Sequence, residues 1–178
     1  MTERDKIIEK INLYALAVDA RRWDLFDHIF TEDCDVDYGS SAHWYDLGRF
    51  TSDFAAFHAP FDATQHLMMN HQVLIDGDGA HSLTYGNWRL VRHAAASDGD
   101  GGPLWDGSGW YDDQWVRTDE GWRIASRVCR VIWFTGNPAV KETMPGVTFE
   151  DERTTLQAEG EAGRLSFLDA IVRAGSGV

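Results

Sequence analysis

A change of hydrophobic period near Pro60 constrains the fold of this 178-residue chain more than any other feature. Before it, apolar residues recur at helical spacing, as in Phe50, Phe54 and Phe57. After it, apolar and polar residues alternate over long runs, which is the pattern of half-buried strands. Helices followed by strands predict an α+β domain in which one sheet packs against the first helices.

The first 60 residues predict three helices. Thr2 and Asp5 form a capping box that opens a helix ending near Ala20. A short second helix ends over residues 31–33 and precedes a short strand, and the third helix ends before Pro60. The second helix is predicted from the spacing of Trp23, Phe26 and Phe30 (or Ile29). The short strand is predicted from the alternation of Cys34, Val36 and Tyr38.

Four strands of an antiparallel meander follow, over about residues 64–75, 80–92, 105–117 and 122–134. The hairpin turn Asp76-Gly77-Asp78-Gly79 joins the first two, and a polar loop over residues 97–103 precedes the third. A sheet this long curls around the helices, which predicts a cone-shaped curved sheet with one open end. We expect one domain over residues 1–137. A C-terminal extension over residues 138–178, with a short helix at 165–174, should pack on it or on a neighbouring subunit.

Composition narrows the classes of function. The formal net charge of −13 repels phosphate backbones and anionic lipids, so we expect neither nucleic acid nor membrane as a partner. No run of about 18 apolar residues and no secretory leader is present, which favours a cytoplasmic protein. Cys34 and Cys129 lie in apolar contexts and predict buried free thiols. The seven histidines show no metal-ligand spacing, so we expect no metal and no other cofactor.

Asp19 is the residue that points to chemistry. On the first helix, Leu16 and Ala15 precede it by three and four positions, so its carboxylate lies where an apolar face belongs. An unpaired buried carboxylate is costly, and it therefore needs a partner. A histidine is the partner that would make a proton-transfer pair, because it accepts protons near neutral pH.

His66 is the candidate partner. It lies early in the first long strand, and period two places Met68, Asn70 and Gln72 on the same face. A concave sheet would turn this face toward the first helix across a cavity. We expect Asp19 to orient the imidazole and His66 to abstract a proton.

Several features together resemble the NTF2-like superfamily, in its SnoaL-like branch. They are Tyr14-x4-Asp19, His66-x3-Asn70, the segment Val73–Asp78, and Gly121-Trp122-Arg123-Ile124-Ala125-Ser126-Arg127. Within this branch the pattern is similar to those of hexachlorocyclohexane dehydrochlorinase and bile acid 7α-dehydratase. The resemblance covers about residues 1–135 and implies the cone-shaped fold. It also implies an Asp19–His66 dyad, with Arg127 as the matching arginine and Tyr14 at the position that is tyrosine in the dehydratase.

The implied reaction is elimination of water without a cofactor. His66 would act as base, Tyr14 would protonate the leaving oxygen, and Arg127 would hold a carbonyl or the developing negative charge. Tyr14 lies about 140° around the helix from Asp19, so both reach one pocket only if the helix end or the side chain bends that way. Each of these residues also has a purely structural interpretation. These are an ion pair at the helix end for Asp19, a satisfied core histidine for His66, a strand arginine for Arg127 and core packing for Tyr14.

Aromatic residues indicate the size of the substrate, because rings on a concave sheet make flat apolar slots. Trp44, Tyr45, Trp88 and Trp110, with Asn70, are the predicted substrate-binding residues. A bulky hydroxylated aromatic or polycyclic molecule fits best, which suggests a role in the catabolism of aromatic compounds. We also expect a homodimer or homotrimer, because an uncovered apolar sheet face would otherwise aggregate.

Other functions remain open at this stage. Some SnoaL-like proteins release formaldehyde from lignin-derived diaryl compounds by a retro-aldol-like cleavage, and their length and aromatic content resemble those of this chain. The fold also carries isomerases and cyclases. A binding or assembly module, like a dioxygenase small subunit, is the alternative from a different class. An intact Asp19–His66 pair facing a cavity would count against that module.

Overall fold

A computed structural model of the chain describes residues 1–98, 101–144 and 153–175. Its helices precede the long strands, and the predicted α+β class is confirmed. The elements are α1 (Glu3–Asp19), a 3₁₀ helix (Trp23–His28), β1 (Phe30–Asp37), β2 (His43–Trp44), α2 (Leu47–His58), β3 (Ala63–Asp76), β4 (Gly79–Val91), a 3₁₀ helix (His93–Asp98), β5 (Leu104–Thr118), β6 (Gly121–Gly136), a 3₁₀ helix (Pro138–Lys141), α3 (Leu156–Glu161) and α4 (Ser166–Arg173).

The strands form one curved, unclosed sheet in the order β2-β1-β6-β5-β4-β3. Strands β3 to β6 make the predicted antiparallel meander, and β1 adds to it in parallel with β6. Helix α1 packs against β3 at one edge of the sheet, while α2 packs against β1 near the other. The apolar core lies between these helices and the concave face of the sheet.

Local sequence explains how the two site-bearing helices begin. The predicted capping box is present at α1, where Asp5 N donates to Thr2 Oγ1 at 3.2 Å and Thr2 N donates to Asp5 Oδ2 at 2.8 Å. Helix α2 begins after Asp46, whose carboxylate accepts from Arg49 N at 2.7 Å. Each helix then buries one stripe of side chains, and in α1 this stripe includes Tyr14.

The structure corrects the first part of the predicted sheet. The second helix is a 3₁₀ helix that ends at His28, and β1 begins at Phe30 instead of near Cys34. The sheet therefore has six strands among the described residues, where the sequence predicted a four-stranded meander and one short strand. Pairing between β1 and β6 joins segments about 90 residues apart, and local periodicity carries no signal for such a contact. Part of the predicted loop over 97–103, residues 99 and 100, lies outside the described residues.

A β-bulge at Asn70 breaks the period of β3. Met69 pairs with Tyr85 and Gln72 pairs with Leu83, so β3 has one extra residue between these two pairs. Asn70 has a φ of +54°, the left-handed region that asparagine tolerates better than most residues. The bulge turns Asn70 outward to solvent and reverses the alternation of side chains that follow it.

The described part of the C-terminal extension packs on the outer face of the sheet. Helix α4 contacts β3, β4 and β5 and buries Phe167 and Ala170. Buried Asp112 on β5 accepts hydrogen bonds from Ser166 N at 2.5 Å, Ser166 Oγ at 2.8 Å and Phe167 N at 3.2 Å. These contacts cap α4 from the sheet. Burial raises the pKa of Asp112 to about 6, against the opposing effect of its Ser166 hydrogen bonds. The short α3 was not predicted, and residues 145–152 and 176–178 lie outside the described part of the chain.

Two composition-based expectations bear on this architecture. Cys34 and Cys129 are buried free thiols, as predicted. Over the described ranges, none of the helices combines the length and the apolar character that crossing a bilayer requires.

The Asp112 cap predicts the effect of a single substitution. Asp112→Ala leaves the donors of Ser166 and Phe167 without their acceptor and should lower the free energy of unfolding by about 1–3 kcal/mol. Asp112→Asn should lower the free energy of unfolding by less, because its amide oxygen still accepts hydrogen bonds from these donors. Urea denaturation measures both, and limited proteolysis should show faster cleavage near α4. The control is Asp119→Ala at an exposed turn. Wild-type stability of Asp112→Ala would show that this cap is not needed.

Candidate functional site

A cavity of about 490 Å³ lies between the helices and the concave face of the sheet. Its wall is mostly apolar and aromatic, with histidine and tyrosine side chains placed among the rings. Its size lies within the range of small-molecule sites, which is roughly 300–1,000 Å³. This cavity is therefore the candidate site for a ligand.

Asp19 and His66 are in contact, as predicted. Helix α1 ends at Asp19, and β3 runs beside it, so the carboxylate reaches the strand. Asp19 Oδ1 lies 2.7 Å from His66 Nδ1 and also accepts from Thr64 Oγ1 at 2.8 Å. Asp19 Oδ2 accepts from the backbone N of His66 at 2.8 Å. Because Asp19 engages Nδ1, Nε2 is the nitrogen that His66 offers to the cavity it lines.

The charge state of Asp19 suits an orienting group. Burial of the carboxyl group opposes ionisation, but hydrogen bonds from His66 and Thr64 and the His66 charge outweigh burial. Together they hold the pKa of Asp19 below its usual value. An ionised carboxylate on Nδ1 fixes the tautomer and would stabilise the imidazolium formed when Nε2 takes a proton.

His58 is a second cavity histidine that the sequence analysis did not identify. It ends α2, is 2% exposed, and its ring centroid lies 6.2 Å from that of His66. Its Nδ1 donates to Phe54 O at 2.7 Å, which leaves Nε2 as an acceptor. Burial, with the nearby His66 and Arg21 charges, lowers the pKa of His58 to about 3. A signal existed in the sequence, because the spacing of Phe50, Phe54 and His58 places all three on one helical face.

A cluster of three tyrosines, of which Tyr14 and Tyr111 are buried and Tyr38 is half-buried, forms another part of the wall. Tyr14 and Tyr38 share a hydrogen bond of 2.8 Å between their hydroxyls, and Trp88 Nε1 donates to the Tyr111 hydroxyl at 2.6 Å. Burial raises the pKa of Tyr14 to about 12, although the Arg127 charge opposes this shift. The phenols therefore remain protonated at neutral pH and can donate hydrogen bonds. Tyr14 reaches the cavity from the buried stripe of α1, while Asp19 reaches His66 from the helix end.

Arg127 does not contact the cavity, in contrast to its predicted role on a substrate carbonyl. It is fully buried and forms a bidentate ion pair with Asp113, with N–O distances of 2.7 and 2.9 Å. Its Cζ lies 4.3 Å from the ring centroid of Tyr14 and 4.5 Å from that of Tyr111. The guanidinium thus acts on the site through these rings, by a cation–π contact behind the wall.

The predicted substrate-binding residues divide into two groups. Trp44 and Trp88 line the cavity. Tyr45 is 68% exposed, and Asn70 is turned outward by the bulge, so neither is part of the wall. Trp110 is buried on the opposite face of the sheet, because Tyr111 next to it points inward. Residues 1–98, 101–144 and 153–175 contain no cluster of three metal-ligating side chains.

The site thus combines a curved sheet packed against helices with a cavity-lining histidine that a carboxylate orients. The chain belongs to the SnoaL-like domain family, which it matches over residues 1–128, and its fold is NTF2-like. It is 30% identical to the uncharacterized protein Rv2910c of Mycobacterium tuberculosis over 132 residues, 72% of this chain and 84% of that protein.

Solved structures share the fold. The Kfla4162 protein of Kribbella flavida is 28% identical, with a TM-score of 0.69 over 74% of this chain and 92% of that one. A hexachlorocyclohexane dehydrochlorinase, LinA type 2, is 15% identical, with a TM-score of 0.64 over 83% of this chain and 92% of that one. At this identity the second likeness concerns the fold alone.

The shifted pKa of His58 predicts a pH-dependent stability. Below pH 6.5 the unfolded chain takes up a proton at His58, whereas the folded protein does so only near pH 3, so stability falls as the pH falls through this window. At pH 5 the loss is about 2 kcal/mol, from about 1.5 pH units at 1.36 kcal/mol each. His58→Asn, which keeps a donor for Phe54 O, should lack this loss in urea denaturation at pH 7 and 5. Exposed His28→Asn is the control. Identical pH dependence in all three proteins would contradict the prediction.

Proposed function

We propose that this protein is a cofactor-independent lyase that eliminates water from a bulky hydroxylated aromatic or polycyclic molecule. The observation that carries the proposal is the Asp19–His66 hydrogen bond, which orients a histidine toward a ring-lined cavity of about 490 Å³. A binding module needs a cavity but has no use for an oriented imidazole. The fold is shared with a dehydrochlorinase, an enzyme whose name denotes an elimination reaction. This likeness supports elimination as the class of reaction.

The reaction begins at His66. Its Nε2 takes a proton from the substrate carbon, and the electron pair forms a double bond as the hydroxyl on the adjacent carbon departs. Asp19 stabilises the imidazolium through Nδ1. Tyr14, protonated and hydrogen-bonded to Tyr38, gives its proton to the leaving oxygen, which departs as water. The proton on His66 then restores the phenol, so the cycle consumes no other reagent.

Arg127 supports this step without touching the substrate. When Tyr14 gives up its proton, negative charge appears on a ring that lies 4.3 Å from the Arg127 guanidinium. In a buried site this attraction is stronger than in water. Arg127 thus acts as a positioning and electrostatic residue, and Asp113 fixes its orientation.

Replacing the base tests the proposal. His66→Ala should lower turnover by at least ~10², the usual scale for a positioned proton-transfer group, and Asp19→Asn should also be severe because it disturbs the tautomer. A panel of hydroxylated aromatics and steroids provides substrates. New conjugated absorbance reports dehydration, and a formaldehyde assay reports the retro-aldol alternative on diaryl compounds.

His93 offers a matched control. Its backbone N and ring Nδ1 both contact Asp62, at 2.6 and 3.0 Å, as His66 does with Asp19, but both side chains are exposed and neither lines the cavity. His93→Ala should therefore keep wild-type turnover. Near-normal turnover of His66→Ala on a confirmed substrate would refute its role as base.

Tyr14 is tested through the leaving group. Tyr14→Phe removes the proposed acid, so its effect should grow as the leaving group becomes poorer. An acetate ester in place of the hydroxyl should restore turnover of Tyr14→Phe but not of His66→Ala, measured as kcat for both substrates. Equal losses on the two substrates would exclude Tyr14 as the acid.

A further inference from the structure

His58 brings an unused hydrogen-bond acceptor to the cavity. Its ring lines the cavity and is 2% exposed, and its Nδ1 donates to Phe54 O at 2.7 Å. A carbonyl oxygen can only accept, so Nδ1 carries the ring proton and Nε2 carries a lone pair. None of the described residues donates a hydrogen bond to Nε2. The proposed elimination does not use this atom.

The surroundings of the ring make an unpaired acceptor costly. Trp23, Phe57 and Phe61 have ring centroids 5.1 to 5.7 Å from that of the imidazole. The Phe54 ring is closer still, with its centroid at 4.4 Å. Among these rings a phenylalanine would fill the same space without burying a polar nitrogen. The contact with Phe54 O accounts for Nδ1 but not for Nε2, whereas a donor on a ligand in the cavity would complete the hydrogen bonds of the ring.

The charge state of His58 limits the type of group that can bind there. Its pKa is lowered to about 3, chiefly by burial, so the ring is neutral near pH 7 and Nε2 has no proton to donate. An ionised carboxylate or a carbonyl offers only acceptors and cannot pair with this nitrogen. An O–H or N–H group is the complement of Nε2.

The distance to His66 places this group close to the reacting carbon. The centroids of the two imidazole rings are 6.2 Å apart. A hydrogen bond spans about 3 Å between heavy atoms. In a molecule that contacts both histidines, the donor at His58 and the carbon at His66 are therefore separated by only a few bonds. Both contacts can come from one ring of the substrate and its substituent.

We propose that His58 is a specificity-determining residue whose Nε2 accepts a hydrogen bond from a hydroxyl group of the substrate, close to the carbon that His66 deprotonates. The proposal rests on the proposed function, because it describes the substrate of the same cavity. It predicts that a substrate with this hydroxyl is preferred over the analogue that lacks it, because the analogue leaves Nε2 unpaired. A site that pairs with a substrate hydroxyl rejects such analogues more strongly than an apolar pocket separates molecules that differ by one methylene group.

Nitrogen NMR of the histidine side chains observes this atom directly. In protein labelled with ¹⁵N-histidine, His58 should show the tautomer with its proton on Nδ1, and its Nε2 signal is identified by its absence in His58→Asn. Addition of 2-naphthol should move this signal upfield, as expected for a lone pair that accepts a hydrogen bond. Addition of 2-fluoronaphthalene, which has a similar shape but no donor, should leave the signal near its position in the free protein. A proton on Nε2 in the free protein, or equal shifts with the two compounds, would overturn the proposal.

Binding affinities test the same contact by a thermodynamic cycle. The dissociation constant of 2-fluoronaphthalene divided by that of 2-naphthol measures the preference for a donor, and isothermal titration calorimetry gives both constants. His58→Asn keeps a donor for Phe54 O, but its shorter side chain brings no acceptor to the cavity, so this ratio should fall at least about tenfold. His58→Gln reaches further with an amide oxygen that accepts, and it should retain part of the preference. His28→Asn makes the same replacement at an exposed residue outside the cavity wall and should keep the wild-type ratio.

The outcomes separate this proposal from the lyase assignment. The preference for 2-naphthol should persist in His66→Ala, because the hydroxyl contact does not need the base. A retained preference without dehydration of any substrate would refute the lyase reaction and leave the role of His58 intact. An unchanged ratio in a folded His58→Asn protein, or no binding of 2-naphthol at millimolar concentration, would overturn the role of His58 even if the wild-type protein forms a conjugated product. Thermal unfolding checks that each variant is folded.

Discussion

The carboxylate of Asp19 joins the architecture to the chemistry. It lies at the C-terminal end of α1, where the helix dipole disfavours negative charge, and partial burial adds to that cost. Three donors from β3 offset both effects, two from His66 and one from Thr64. Because β3 is an edge strand of the sheet, this contact also fixes the helix that covers the edge. The interaction that attaches α1 to the sheet is thus the one that sets the orientation of the imidazole.

Near His66, burial keeps two polar groups of the cavity wall neutral. Tyr14 has its pKa raised to about 12 and His58 has its pKa lowered to about 3, so near pH 7 the phenol donates and the His58 imidazole accepts without charge. The Arg127–Asp113 pair lies behind them, fully buried, with no contact to the cavity. The charges of this buried ion pair therefore lie one layer behind the phenol of Tyr14. Neutral groups at this part of the wall can bind an apolar substrate without desolvating ions, and their interaction strengthens only when charge develops.

The sequence predicted the parts that depend on local pattern. The capping box of α1, the alternation of β3 to β6 and the pairing of Asp19 with His66 follow from spacing within each element. Prediction failed where the geometry was not local. One extra residue at Asn70 turned it outward, because a bulge reverses the parity of a strand. Trp110 lies on the outer face of the sheet. The sequence did not predict this position, because the parity of a strand does not show which of its two faces is concave. Lys141 reaches the cavity through tertiary packing, for which no single segment carries a signal, whereas the helical spacing of Phe50, Phe54 and His58 carried a signal for His58.

The two ends of the cavity come from different parts of the chain. The dyad lies within residues 1–128, which match the family, whereas Lys141 lies beyond them in the segment after β6. The part of the wall that Lys141 forms is therefore separate in sequence from the Asp19–His66 pair. A substitution at Lys141 would therefore change the cavity wall at a residue remote in sequence from the contact between α1 and β3. Such separation gives a physical reason why one fold can support many functions: residues that orient a side chain on the scaffold and residues that line the cavity can change independently.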